Sequence, residues 1–297
     1  GRTTGTKPSS ASRAGWGGSA VFHRSTPTCV AVFPYAERVA PSVSFLGHAT
    51  VLMEFDGVRV LTDPVLRSRC TFLRRVVPAP PPRMSQGIDV VLISHLHHDH
   101  CDLPSLAALR GATIVVPAGA GGYLRTRGDL SDVVEIAQGE TAEVHGLLIT
   151  AVHADHDGLR PPFGPRAQAL GFVVTGSSGT AYFAGDTDVY PAMATLPMPE
   201  SSGLDVALLP VWGWGPNLGP GHMNPQRAVE ALELLGPKVA VPIHWGTLFP
   251  VGLKSTLPGS RQLLTRPPEQ FAELAHVRAA DTQVVVTQPG HEVVVRP

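Results

Sequence analysis

The sequence predicts an α/β fold of two similar halves packed sheet to sheet, with helices on the outside. Three observations carry this. Short β patterns alternate with helical ones from Val43 onward, the order of elements in the first half returns in the second, and polar residues gather where strands end. "SFLGHATVLMEFDGVRVLTD" reads as two strands about the Asp56-Gly57 turn. "IDVVLIS" is a buried strand, followed by a polar cluster and a helix over "LPSLAALRG", with Asp102 as N-cap and Gly111 as terminator. "ATIVVPAG" and a hairpin-like pair around "TAEVHGLLITAVHADH" come next. In the second half "LGFVVTGSSGTAYFAGD" is again a hairpin running into an aspartate, and "LDVALLPVWGWG" echoes "IDVVLISHLHHD". "NPQRAVEALELLGP" is a helix with Asn224 as cap, Pro225 in its first turn and Gly236 at its end, and "KVAVPIHWG" parallels "ATIVVPAGAG". Two such halves align their strand-end loops along one edge.

Composition narrows the partners. At 297 residues the chain can bury one sizeable α/β domain. A formal charge of −1 argues for neither nucleic acid nor a membrane surface. No apolar run approaches the roughly 18 residues of a spanning helix. Cys29, Cys70 and Cys101 are odd in number and widely spaced, which suits free thiols, a reducing compartment and a cytoplasmic location. Residues 1–42 are basic, rich in Ser, Thr and Gly and without periodicity, so a flexible or processed N-terminal segment is expected before a single folded domain at 43–297.

"SHLHHDHCD" follows directly on the buried strand, and its His95-x-His97-x-Asp99-His100 pattern fits no helical face. A loop leaving a strand can turn His95 and His97 toward one metal while Asp99 and His100 reach a second. One loop cannot hold two dications, so other strand ends must contribute. "FAGDT" offers Asp186, a carboxylate able to bridge both metals, after Gly185 in a tight turn; "VPIHWGT" offers His244. In "TAVHADHDG" both His153 and His156 are open, with His156 favoured because it falls just past the strand.

These stretches resemble the metallo-β-lactamase superfamily, which has a four-layer αββα sandwich. Within it they resemble the branch that holds N-acyl phosphatidylethanolamine phospholipase D and the ascorbate-6-phosphate lactonases. The resemblance runs through "FLGHATVLMEF", "LTDPVLRSR", "DVVLISHLHHDHCD", "YFAGDT", "HMNPQRAVEAL" and "PIHWGT". It implies His156 as the third-motif ligand, leaving His153 as a departure from the pattern. With it, His95, His97 and His156 are assigned to a first metal and Asp99, His100 and His244 to a second, with Asp186 bridging.

The expected cofactor is two Zn²⁺ per chain, with manganese or iron as alternatives. Against four positive charges stand Asp99, Asp186 and a bridging hydroxide, a formal surplus of about one that welcomes an anionic substrate group. Zinc lowers the pKa of bound water from about 15.7 to about 7, so the expected reaction is attack by hydroxide on a phosphorus or carbonyl centre. The substrate is then a small or lipid-like phosphodiester or lactone.

Asp99 and His222 are the candidate catalytic residues. The resembling phospholipases carry a histidine at the place of His222, which suggests substrate orientation or protonation of the leaving group, beside a structural capping role. Asp63 is either an orienting carboxylate behind a ligand histidine or a turn residue before Pro64. His48 is a structural histidine or a substrate contact, and His98 is expected to point to solvent. Arg67, Arg69, Arg74 and Arg75 lie in a long Pro-rich segment and could attract phosphate. Trp212, Trp214, Phe163 and Leu73 could wall an acyl pocket. Three other readings compete: a mononuclear iron dioxygenase, an RNA-processing nuclease and a non-enzymatic binding module. Retention of Asp99, His100 and His244 argues against the first, near-zero net charge against the second, and the full set of candidate ligands against the third.

Overall fold

The structure is a computed structural model that describes residues 41–198, 203–213 and 219–294. Most of the N-terminal segment set apart above, with His23 and Cys29, lies outside the described residues, as does Trp214. Among the described residues two seven-stranded sheets form the centre. The first runs, in spatial order, His291–Val294, Ser42–Gly47, Thr50–Phe55, Val58–Thr62, Val90–Leu92, Thr113–Pro117 and Val133–Ile136. The second runs Gln283–Val284, Val239–Ile243, Val206–Pro210, Gly179–Phe183, Leu170–Gly176, Leu147–His153 and Thr141–Val144. Each is antiparallel on one side and parallel on the other, with the change at Val58–Thr62 in the first sheet and at Gly179–Phe183 in the second. A small third sheet joins Leu248–Pro250 to Leu73–Arg75 and Arg69–Cys70.

Alternation along the strands makes the layers. Val90 and Leu92 face the other sheet and pack with residues such as Ile149, Phe172 and Phe183. Val91 and Ile93 face outward and pack with Leu106 of α1 (Leu103–Ala107) and Leu124 of α2 (Gly121–Arg127). On the far side, α3 (Pro225–Leu235) and α4 (Ser260–Arg278) pack against each other and cover the second sheet. The result is the expected αββα sandwich.

Four local details depart from the sequence reading. Its first hairpin is three strands, because Gly47 and His48 (φ 115° and 58°) reverse the chain before Thr50. The helix after the histidine cluster stops at Ala107 with Ala108 as cap, short of Gly111, although Asp102 does cap its start. The Thr141–His153 hairpin, read in sequence with the first half, joins the second sheet. α2 and α4 have no counterpart in the sequence reading, and α4 carries Pro267-Pro268 inside it. Its buried residues Leu264, Pro267, Pro268, Phe271 and Ala275 nevertheless keep one helical face. Helix α3 matches expectation: Asn224 Oδ1 accepts from Arg227 N at 2.9 Å, and Gly236 ends it at φ 54°.

Candidate metal centre

Six loops leave the carboxyl ends of strands at one edge of the sandwich, the usual site position in open α/β sheets. Asp63 follows Val58–Thr62, and the His95–His100 loop follows Val90–Leu92. His156 follows Leu147–His153, Asp186 follows Gly179–Phe183, Trp212 follows Val206–Pro210, and His244 follows Val239–Ile243. Two glycines let these loops approach. Gly185 sits at φ 62°, and a Cβ there would lie 2.6 Å from Ser94 Cβ. Gly221 sits at φ 75°, where a Cβ would lie 2.7 Å from the carbonyl oxygen of Asp155. His48, Asp63 and His244 also take left-handed φ (58°, 32° and 63°), a conformation that costs a non-glycine residue energy.

Three imidazoles meet at one point. His95 Nε2 is 3.0 Å and His156 Nε2 is 3.1 Å from His97 Nδ1. Their outer nitrogens fix the tautomers. The Ser94 hydroxyl donates to Asp63 at 2.5 Å and so accepts from His95 Nδ1–H at 2.9 Å. His156 Nδ1–H donates to the Gly221 carbonyl at 2.9 Å. Both Nε2 atoms therefore present lone pairs to His97 Nδ1, where a single proton can serve only one of them.

A second group lies beside the first. His100 Nδ1–H donates to Asp63 Oδ2 at 2.7 Å, and His244 Nδ1–H to the Trp212 carbonyl. Their Nε2 atoms are 3.2 Å apart. Asp186 spans the pair, with Oδ2 3.1 Å from His100 Nε2 and Oδ1 3.1 Å from His244 Nε2. Oδ1 accepts no well-directed hydrogen bond although it is buried. Asp99 Oδ2 is 3.0 Å from His48 Nε2, and His48, Asp99, His100 and His244 offer donor atoms within 4.8 Å of one another.

Such facing lone pairs repel unless a cation lies between them. Ligands 2.0–2.1 Å from a tetrahedral metal are about 3.3 Å apart, close to the separations seen here. The donor chemistry, imidazole with carboxylate, suits zinc, manganese or iron. The residues therefore fit divalent cations.

Electrostatics agree. Burial keeps His95 and His244 well below the ordinary histidine pKa and, with the neighbouring His156 and His100 rings opposing a further positive charge, takes His97 down to about 4. These rings are neutral and free to donate lone pairs. Burial also disfavours charge on His100, but the Asp186 and Asp63 carboxylates outweigh it and raise its pKa well above the ordinary value. A cation at this group takes the place of that proton. Burial would raise Asp99, yet the His48 hydrogen bond and the surrounding imidazoles hold it well below the usual carboxylate range.

The remaining sequence candidates separate clearly. His156 is in the cluster, whereas His153 packs edge-on against the Tyr190 ring at 4.8 Å. His222 reaches the rim: its Nε2 is 3.6 Å from Asp186 Oδ2, and its Nδ1–H donates to the Pro220 carbonyl at 3.1 Å. Asp63 is fully buried behind His100 and Ser94 as the orienting carboxylate, the first of its two readings. His48 belongs to the cluster more closely than its sequence context suggested, and the only signal was its place in "GHAT". His98 is not turned to solvent but is half-buried, held by Arg160 and the Pro161 carbonyl. Arg67 is engaged by Asp102 and Arg69 by the Thr71 carbonyl, while Arg75 is buried against the carbonyls of Leu46 and Val65. Arg69 and Arg74 are both exposed. Leu73 and Trp212 are buried, and Phe163 is exposed.

Cys70 and Cys101 are free and buried, and burial pushes both thiols up to about 12. Neither serves as a nucleophile. Both should therefore stay unmodified by a thiol reagent at pH 8 in the native protein, and peptide mapping that found either one labelled would contradict this packing.

Two mixed sheets between helices, with a histidine–aspartate cluster at their strand ends, define the metallo-β-lactamase fold. Residues 58–245 match the beta-lactamase superfamily domain, and the chain belongs to that family. It is 32% identical over 252 residues to a UPF0173 metal-dependent hydrolase of Methanopyrus kandleri, covering 84% of this chain and 97% of that one. An uncharacterised protein of Mycobacterium tuberculosis is 38% identical over 227 residues, 71% of this chain; the match spans only 60% of that relative's length. The N-acyl-phosphatidylethanolamine-hydrolyzing phospholipase D 1 of Caenorhabditis elegans is 28% identical over 270 residues, 83% of this chain and 74% of its own. Among solved structures, Igni18, a metallo hydrolase of Ignicoccus hospitalis, superposes with a TM-score of 0.66 at 23% identity, covering 85% of this chain and 97% of that one, and shows the shared fold.

Proposed function

We propose that the protein is a dinuclear metal hydrolase, with zinc the expected metal, that cleaves a phosphodiester in the manner of a phospholipase D or opens a lactone. The observation that carries this reading is the pair of lone-pair clusters on either side of Asp186. His95, His97 and His156 would hold one cation and Asp99, His100 and His244 the other, with Asp186 between them. When bound, the cations supply an activated water at neutral pH and Lewis-acid polarisation of the scissile centre.

The chain's own residues supply the rest. Asp63 fixes His100 and, through Ser94, His95, so their donor atoms keep their aim. His48 holds Asp99 from behind. Burial disfavours a proton on His222, but the Asp186 carboxylate outweighs it and raises the pKa above the ordinary value. His222 Nε2 can therefore carry a proton at the rim for a leaving oxygen. A cleft of about 410 Å³ lined by Trp212, Pro225, Leu257 and Leu263 opens beside His244's carbonyl partner and favours a substrate with an apolar arm. The phospholipase relative points the same way. No helix among the described residues is long and apolar enough to cross a membrane. Buried free thiols favour a cytoplasmic location, with a small or lipid-like substrate as the partner and no nucleic acid.

The test is metal analysis joined to a substrate screen. Purified protein should hold two divalent cations per chain, and chelation should lower turnover of its best substrate at least 100-fold, with zinc restoring it. The panel is acyl-lactones, phosphodiesters and N-acyl phospholipids. One iron per chain with oxygen-dependent turnover would replace hydrolysis with oxygenation.

A further inference from the structure

Arg160 is a buried cation that the catalytic reading leaves without a task. It is buried, and among the described residues its guanidinium forms no ion pair with a carboxylate. Its guanidinium is spent on the metal-binding loop. Nη1 donates to the carbonyls of Leu96 and Cys101, both at 2.9 Å, and Nη2 donates to His98 Nδ1 at 2.9 Å. Leu96 lies between His95 and His97, and Cys101 directly follows His100, so one nitrogen ties both ends of the segment that carries four candidate ligands. His98, accepting at Nδ1, donates from Nε2 to the Pro161 carbonyl at 2.9 Å and returns the link to Arg160's own segment. The Tyr123 ring lies 5.3 Å below the guanidinium carbon. A short turn closes the far side, where Arg160 N donates to the Pro165 carbonyl and Gly164 N to the Arg160 carbonyl.

Arg160 stands four residues after His156. It therefore joins the two chain segments whose imidazoles meet at the first cluster, His95 and His97 from one and His156 from the other. Burying a guanidinium against neutral carbonyls is expensive in free energy unless every donor is well placed. A lysine ammonium has neither the reach nor the planar fork to hold two carbonyls and an imidazole together. We infer that Arg160 is a positioning residue that sets the spacing of the His95, His97 and His156 donors and so the affinity of that site for its cation. This rests on the metal reading above.

The experiment measures zinc dissociation constants by chelator competition and the visible spectrum of the cobalt-substituted protein, for wild type, Arg160→Met and Arg160→Lys. Unfolding temperatures are taken on metal-free samples. The expected result is a zinc affinity lowered about 10- to 100-fold at one of two sites in Arg160→Met, with less loss in Arg160→Lys and an altered cobalt spectrum in both. If the folded variants bind zinc as wild type does, with an unchanged cobalt spectrum, the inference is overturned even where the unfolding temperature has fallen. Should Arg160→Met fail to fold, Arg160→Lys decides alone by the same two readouts. Wild-type protein that binds no metal would remove the proposed function itself, and this inference with it.

Discussion

Replacing Asp186 with asparagine is expected to leave the fold intact and to lower hydrolysis by about 10³-fold. The side chain keeps its shape, so the turn at Gly185 and the packing under Ser94 have no reason to change. What is lost is one negative charge set between His100 and His244, within 3.1 Å of each. A carboxylate holds two dications near each other by offsetting their repulsion, and an amide does so poorly. Stabilisation of several kcal/mol from metal-held charge, about 4 kcal/mol, corresponds to about 10³ in rate at 1.36 kcal/mol per decade. The check is kcat/KM for the best substrate in the panel, with metal content and circular dichroism on the same sample. Wild-type turnover by Asp186→Asn would remove that residue from the centre of the site.

The second large effect is on stability. Asp63 has no exposed surface and accepts three hydrogen bonds, from Ser94 N (2.7 Å), Ser94 Oγ (2.5 Å) and His100 Nδ1 (2.7 Å). Burial pushes its carboxyl above the usual range against the pull of His100 and Ser94, so the site tolerates this charge only while its donors are in place. Asp63→Ala strands all three donors in the interior. Breaking a buried hydrogen-bonded pair costs about 3–5 kcal/mol. For a domain of this size that is roughly a 10 °C fall in unfolding temperature. Metal affinity should fall as well, by about 10- to 100-fold, because His100 loses the partner that fixes its tautomer. Calorimetry of the metal-free protein isolates the first effect and chelator competition the second. A metal-free unfolding temperature equal to that of wild type would mean that Asp63 is the turn residue of its alternative reading.

Local patterns in the sequence were readable where chemistry and spacing coincide. The His95–His100 run, Asp186 after its glycine and His244 after its strand each announce a polar group at a strand tip, and the fold carries all of them to one edge. The αββα arrangement followed from the repeated order of elements. What escaped depends on partners remote in the chain. His48 meets Asp99 51 positions away, and Arg160 meets Leu96 64 positions away. No local rule pairs such residues. The basic segment misled for a related reason: arginines look solvated in sequence, yet Arg75 is buried among carbonyls and Arg67 is claimed by the cap of α1. Helix α4 carries paired prolines, which count as breakers in sequence, and their common buried face shows only in the fold.

Three left-handed residues, His48, Asp63 and His244, stand at the cluster and not in remote loops. At about 1–2 kcal/mol each they withhold several kcal/mol from a native state that commonly has only about 5–15 to spare. Glycine at these places would relax the backbone but delete a donor or its support, so random selection for heat resistance would drift toward a sturdier and less competent protein. Engineering for durability belongs instead in the outer helices and exposed turns, where tolerance to change is uncoupled from the geometry of the strand tips.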